Sequence, residues 1–332
     1  MKGQALTPLL LAALLVTLLL AVALGSDAVS FADALAGRGH AREILFEVRL
    51  PSVLLAAIAG AGLAVTGAAF QALLRNPLAE PYLLGVSGGA AVGATVAIAL
   101  GAGAGWLAAT LTPVAAFVGG MVATALVYFV ARGVGQGGAF GQGGAMLLAG
   151  VMVNAIAASL ITAGKLLVSP TTAKTMLRWL VGFVELPSPA GLAAVAVYVA
   201  LGCGLLWRDA ADINLLALGE ESAAALGVEV RALERRVLLA ASLTVGAIVS
   251  LTGLIGFVGL VVPHALRRFS GPDLRRLLPL SCVAGGGMLV ACDLLSRLAL
   301  RAFDAKLPVG AVTALLGGPA FLRLLARSRA AA

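Results

Sequence analysis

Of 332 residues, 61% are hydrophobic and 11% charged, whereas a water-soluble domain carries about 45–50% apolar and about 25% charged residues. A soluble globule is thereby excluded, and about two hundred apolar residues leave room for on the order of ten membrane crossings of about 20 residues each. The net charge of +8 is carried by basic residues lying between long uncharged runs, where they set membrane topology rather than meet nucleic acid.

Residues 3–26 are uncharged and rich in Leu, Ala and Val, with no clean small-x-small cleavage site before a polar start; they read as a first membrane helix. Residues 50–74 form a second, with Pro51 in the first turn, where its missing N–H costs nothing. Residues 81–131 lack charge over 51 positions, too long for one crossing, and the glycines of 101–105 divide them into spans near 83–100 and 106–131. Residues 133–144 are rich in Gly and Gln and read as a loop. Gly133, Gly135 and Gly138 match G-x-G-x-x-G, but no strand precedes them, so loop flexibility explains the match. Further spans fall near 145–167 and 186–207.

The 30 residues 237–266 exceed one crossing and fall short of two. Gly253, Gly256, Gly259 and Pro263 interrupt the far half, which predicts a span at 237–255 and a short broken segment at 258–269 that dips back through protein rather than lipid. Residues 275–299 and 309–326 complete ten segments. The chain is therefore read as an all-α polytopic membrane protein, one permease domain over 1–332, with both termini on one side. Placing those termini in the cytoplasm puts fourteen of the 23 Lys and Arg inside and nine outside.

Gly85, Gly89 and Gly93 recur every four residues and leave one helix face smooth enough for another backbone to approach. Asp293, deep in an apolar run, stands four residues before Arg297, a spacing that puts both on one helix face as an ion pair. Cys203, Cys282 and Cys292 show no metal-ligand spacing, and two histidines, His40 and His264, do not make a metal centre. No G-x-x-x-x-G-K-[ST] phosphate loop is present, so the chain itself is read as neither an enzyme nor the holder of a cofactor.

Two segments concentrate charge. Residues 208–236 form a hydrophilic stretch in which Ala217-Leu-Gly-Glu-Glu-Ser-Ala-Ala-Ala-Leu-Gly227 reads as a short amphipathic helix, acidic at its start and closed by Gly227, placed to dock a soluble partner. Residues 165–185, on the other side, carry Lys165, Lys174 and Arg178 beside Trp179. Trp179 with Arg178 suits an interfacial anchor, or Arg178 and Lys174 face a central cavity and meet an anionic substrate. Asn154 and Gln71 are polar candidates within the spans.

Arg75-Asn-Pro-Leu-Ala-Glu-Pro-Tyr-Leu-Leu-Gly-Val-Ser-Gly-Gly89 resembles the signature following the second helix of the FecCD-type permeases, the membrane subunits of bacterial type II ABC importers for iron siderophores, haem and vitamin B12. Leu147-Leu-Ala-Gly-Val151, Gly253-Leu-Ile-Gly-Phe-Val-Gly-Leu-Val-Val-Pro-His264 and Leu307-Pro-Val-Gly-Ala-Val-Thr-Ala-Leu-Leu-Gly-Gly-Pro-Ala-Phe321 agree in order. The resemblance implies a ten-helix permease of the bacterial inner membrane that pairs with itself. Two copies of a cytosolic ATPase, which hold ATP and Mg, would dock below, and a periplasmic binding protein would deliver substrate above. It places the ATPase contact on Leu218, Gly219, Glu220, Glu221, Ala225, Leu226 and Gly227, and binding-protein docking on Arg49 and Arg297. Where some members carry a second docking arginine, this chain has Ser52. Arg178, Lys174 and Asn154 are expected along the translocation pathway, with haem as the first substrate choice, ferric siderophore next and cobalamin third. An ion-coupled secondary transporter is the alternative, since it too would show broken helices.

Overall fold

The computed structural model describes residues 6–24, 40–102, 105–135, 141–303 and 306–329, and among them every regular element is helical. Helix α1 (Leu6–Ala23) leads to α2 (Leu50–Leu73), which continues from a helical lead-in at Ala41–Glu43 and a wider π-helical turn at Ile44–Arg49. A 3₁₀ turn at Pro81–Leu84 precedes α3 (Val86–Ala97), followed by α4 (Gly105–Gly135), α5 (Gly141–Leu166), α6 (Pro170–Leu180) and α7 (Pro189–Arg208). Then come α8 (Ala210–Leu216), α9 (Glu220–Ala225), α10 (Val230–Thr252), α11 (Val258–Ser270), α12 (Leu274–Phe303) and α13 (Val309–Arg329).

All ten expected segments are present, as α1 to α5, α7 and α10 to α13. Seven of the described helices are long and apolar enough to cross a membrane, and α3 and α13 belong to shorter apolar helices. The 13 residues of α11 rise only about 20 Å, so it does not span alone.

Several boundaries differ from expectation. The loop over 133–144 is shorter, because α4 runs on to Gly135 and α5 begins at Gly141; residues 136–140, like 25–39 with Arg38, lie outside the described residues. Helix α10 starts at Val230, absorbing charges expected in the hydrophilic stretch. These charges are compatible with a helix because Arg236 on α10 bonds the Asp209 carboxylate at 2.9 Å, so the turn is satisfied within the protein. Within 165–185 the chain folds into α6: Pro170 occupies its first turn and Ser169 caps it, its Oγ accepting the Thr172 N–H at 3.2 Å. The amphipathic helix expected over 217–227 is trimmed to α9.

The bundle is organised around α2, of whose 24 residues 16 are buried. Helix α1, by contrast, buries only 6% of its apolar window and leaves the rest for lipid. Small residues permit the closest crossings. A methyl on Gly60 would strike the Gly285 carbonyl of α12, and one on Gly67 the Gly259 carbonyl of α11. The expected smooth face of α3 lies against α4, where Gly89 meets Gly119 and Gly93 meets the Ala115 carbonyl. With lipid tails as apolar as Leu, helices associate through such van der Waals contact.

Gly67→Val should lower stability by about 1–3 kcal/mol through overpacking of a backbone contact. Gly204→Ala on α7, with open space beside it, should be neutral or slightly stabilising. Thermal unfolding of the detergent-solubilised protein would compare the two.

Candidate functional site

The chain leaves helical geometry between α10 and α11. Gly253 stands at φ +65 and Phe257 at φ +70, the latter in the left-handed region that a bulky side chain enters only under constraint. The constraint comes from polar groups of the α2–α3 connection. The Glu80 carboxylate accepts the Phe257 N–H at 2.5 Å, and the Tyr82 hydroxyl accepts the Ile255 N–H at 2.9 Å. From α2, Gln71 Nε2 donates to the Gly259 and Leu260 carbonyls at 3.2 Å. Burial pushes the Glu80 carboxyl above the ordinary carboxylate range, partly offset by the Phe257 N–H, and burial raises the Tyr82 phenol as well.

At one end of the bundle, α8 and α9 form a bracket between α7 and α10. Ala210, Ile213 and Leu216 bury one face of α8. Asn214 Nδ2 donates to Asp273 at 2.7 Å, and Asn214 Oδ1 accepts the Leu274 N–H at 3.0 Å, fixing α8 to the start of α12. Arg236 reaches Asp209 and, at 3.8 Å, Asp212. Helix α9 is framed by Gly219 at φ +126 and Gly227 at φ +88, conformations that only glycine adopts without strain. Ala223 faces inward, fully buried, while Leu218 (71% exposed), Glu221, Ala225 and Leu226 (62% exposed) face out with Gly227. Glu220, half-buried, meets Arg75 at 3.2 Å.

Arg75 is a residue that spacing does not single out, although it opens the signature block. It ends α2 with φ +49. Its own N–H bonds the Ala72 carbonyl and the Asn76 N–H bonds that of Gln71, closing the helix C-terminus. Arg75 thus joins α9 to the end of α2, and the same connection carries Glu80 and Tyr82 to the break. These two were legible only as part of the signature, since their partners are backbone groups more than 170 positions away.

At the other end, the expected pathway residues part company. Arg178 pairs with Glu185, Nη2 to Oε1 at 2.5 Å and Nε at 3.1 Å, and lies over the Phe183 ring at 5.5 Å. It is therefore not a free cation awaiting an anion: Glu185, seven residues on, neutralises it because the chain turns back after α6. Lys174 is exposed on α6. Asn154 on α5 is spent within the fold, Oδ1 accepting the Gly88 N–H at 3.2 Å and Nδ2 donating to the Tyr82 carbonyl at 2.9 Å. It secures the 3₁₀ turn. Arg49 (5% exposed) donates to the Val22 and Ala23 carbonyls at 3.2 Å, and Arg297 to that of Ala21 at 3.2 Å. Both arginines therefore close the C-terminus of α1, where cations suit the helix dipole. The expected pair forms, Arg297 lying 2.6 Å from Asp293, whose side chain is 1% exposed.

Comparison with known proteins agrees with this architecture. The sequence profile of the FecCD transport family matches residues 13–327. The vitamin B12 import system permease protein of Klebsiella pneumoniae is 37% identical over 324 residues, 95% of this chain and 92% of that one. The hemin transport system permease protein of Yersinia pestis is 36% identical over 289 residues, 86% of this chain and 84% of that one. A solved chain assigned to a metal-chelate type ABC transporter, inward-facing, superposes with a TM-score of 0.85 at 27% identity, covering 98% of this chain and 99% of that one.

Arg297→Ala should cost about 3–5 kcal/mol by stranding the buried Asp293, and adding Asp293→Ala should restore much of it. Unfolding midpoints of the single and double variants give the coupling. Because folding raises the Glu80 pKa, the stability owed to this group is full below the ordinary carboxylate range and falls as pH rises through the raised value. Glu80→Gln should flatten that fall and be at least as stable as the parent at about pH 8. Glu80→Ala, which removes the acceptor for Phe257, should lose about 1–3 kcal/mol.

Proposed function

The chain belongs to the FecCD transport family, transmembrane permeases whose ATPase is a separate subunit, and on that premise we propose that it drives import by passing motion from α9 to the α10–α11 break. The observation that carries this is the glycine-framed α9, with Leu218 and Leu226 exposed at its ends and Glu220 tied through Arg75 to α2. In this proposal the chain pairs with itself in the bacterial inner membrane with both termini in the cytoplasm. Two cytosolic ATPases, which hold ATP and Mg, seat on Leu218, Gly219, Glu220, Glu221, Ala225, Leu226 and Gly227. Closure of the ATPases displaces α9; Arg75 carries the displacement to the α2–α3 connection, and Glu80 and Tyr82 carry it to residues 253–257. Alternating access requires the two nucleotide states to favour different arrangements, since a ligand with equal affinity for both shifts nothing.

A periplasmic binding protein delivers the substrate on the α6 side. Arg49 and Arg297 serve its docking by holding the end of α1 in position, because their guanidinium groups turn inward. The preference for haem rests on Arg178 and Lys174 beside an apolar lining; Glu185 pairs with Arg178 and weakens that reason, while Lys174 stays exposed. We therefore place cobalamin first and haem second, supported by the vitamin B12 relative matching 95% of the chain. An ion-coupled mechanism is set aside on the family membership.

Leu218→Asp with Leu226→Asp, and separately Gly219→Val, should cut ATP-dependent uptake in vesicles at least about tenfold, equivalent to about 1.4 kcal/mol of coupling, with membrane insertion intact. Uptake at the parental rate would remove α9 from the ATPase contact. A ligand screen on the cognate binding protein decides the substrate: preferential capture of haem would put haem ahead of cobalamin.

A further inference from the structure

Between α4 and α10, at the end of the bundle that carries α9, lies a cavity of about 210 Å³. Its walls are Met121, Ala125 and Phe129 of α4 and Leu238 and Leu239 of α10, with Arg235 also in the lining. Nearly all of the exposed wall is apolar, although the hydroxyls of Thr124 and Ser242 also belong to the lining, so water finds few partners there. Phe129 is 68% and Leu239 60% exposed, so the groove opens sideways, towards what surrounds the spans.

Its mouth is cationic. Arg235 is exposed, and no carboxylate pairs with it among the described residues. Tyr128, which also lines the groove, carries the Arg132 guanidinium 5.6 Å above its ring and 3.5 Å from its hydroxyl. The acids nearby are Glu234 and Glu220, and Arg75, Arg132 and Arg231 lie in electrostatic range of Glu234. Arg75 is taken by Glu220, so Arg132, Arg231 and Arg235 stand with Glu234 at this end, an excess of positive charge. Arg236, the neighbour of Arg235, is turned away to Asp209 and Asp212.

An apolar slot open to hydrocarbon and crowned by an excess of guanidinium groups is complementary to an amphiphile with an anionic head. We propose that the α4–α10 groove is a site for an anionic phospholipid, one acyl chain lying against Ala125 and Leu239 and the phosphate meeting Arg235 and Arg132. The hydrocarbon slot distinguishes a lipid from free phosphate, for which it offers nothing. The proposal stands on the membrane fold and these side chains, so the fate of α9 as a coupling element does not bear on it.

The full chain, purified in detergent, would be incubated with dioleoyl phosphatidylglycerol, with dioleoyl phosphatidylcholine or with inorganic phosphate, and examined by native mass spectrometry. One phosphatidylglycerol per chain should be retained in preference to phosphatidylcholine, and Arg235→Gln should reduce that preference about fivefold, the share of one arginine at a membrane surface. Ala125→Trp, on an exposed face where the ring fills the slot without disturbing the core, should abolish retention, with an unchanged unfolding midpoint showing that the fold survives. Equal retention of the two lipids, retention untouched by Ala125→Trp, or phosphate bound as well as lipid would overturn the proposal. So would a disulfide-linked dimer formed by Phe129→Cys, which would assign the groove to a second copy of the chain.

Discussion

A hydrocarbon interior offers no water to an unpaired backbone group, and each one left bare costs several kcal/mol. The interruption between α10 and α11 is therefore tolerated only because other parts of the chain come to it. Glu80 and Tyr82 take the Phe257 and Ile255 N–H groups, Gln71 serves the first carbonyls of α11, and the Thr252 carbonyl accepts the Phe183 N–H. A further bond joins Gly310 at the head of α13 to the Gly182 carbonyl. One irregular stretch thus gathers the α2–α3 connection, the α6–α7 connection and α13 around itself.

That gathering requires close approach, which the glycines allow. Gly253 would collide with the Trp179 carbonyl, Gly182 with that of Leu254 and Gly310 with that of Val181 if any carried a methyl. Such contacts leave little room for gradual deformation. An element held this tightly shifts between discrete arrangements or not at all. Its polar partners sit on the same connection as Arg75, which meets Glu220 of α9, so a single short segment of chain touches both α9 and the break.

Several of the charged side chains are spent on backbone ends or on one another. Arg49 and Arg297 close α1, a helix otherwise given over to lipid. Arg178 meets Glu185, and Lys306 donates to the Val184 carbonyl across the same Phe183 ring. Arg236 secures α8. Arg235 lies instead at the rim of an apolar groove, with no carboxylate paired to it among the described residues.

The number and order of spans could be read from the chain because hydropathy acts locally: about 20 apolar residues span a bilayer whatever their neighbours do. The break near 253–257 was legible for the same reason, through its glycines and Pro263, and so was the Asp293–Arg297 pair, whose partners lie one helical turn apart. Only the tertiary structure decided the partners of Arg49, Asn154, Glu80 and Tyr82. Each bonds a backbone group in a separate part of the chain, and a backbone group has no signature in the sequence. Arg178 belongs between these cases: Glu185 was in plain view seven residues away, but whether the two meet depended on how the chain turns after α6, which packing against the core determines.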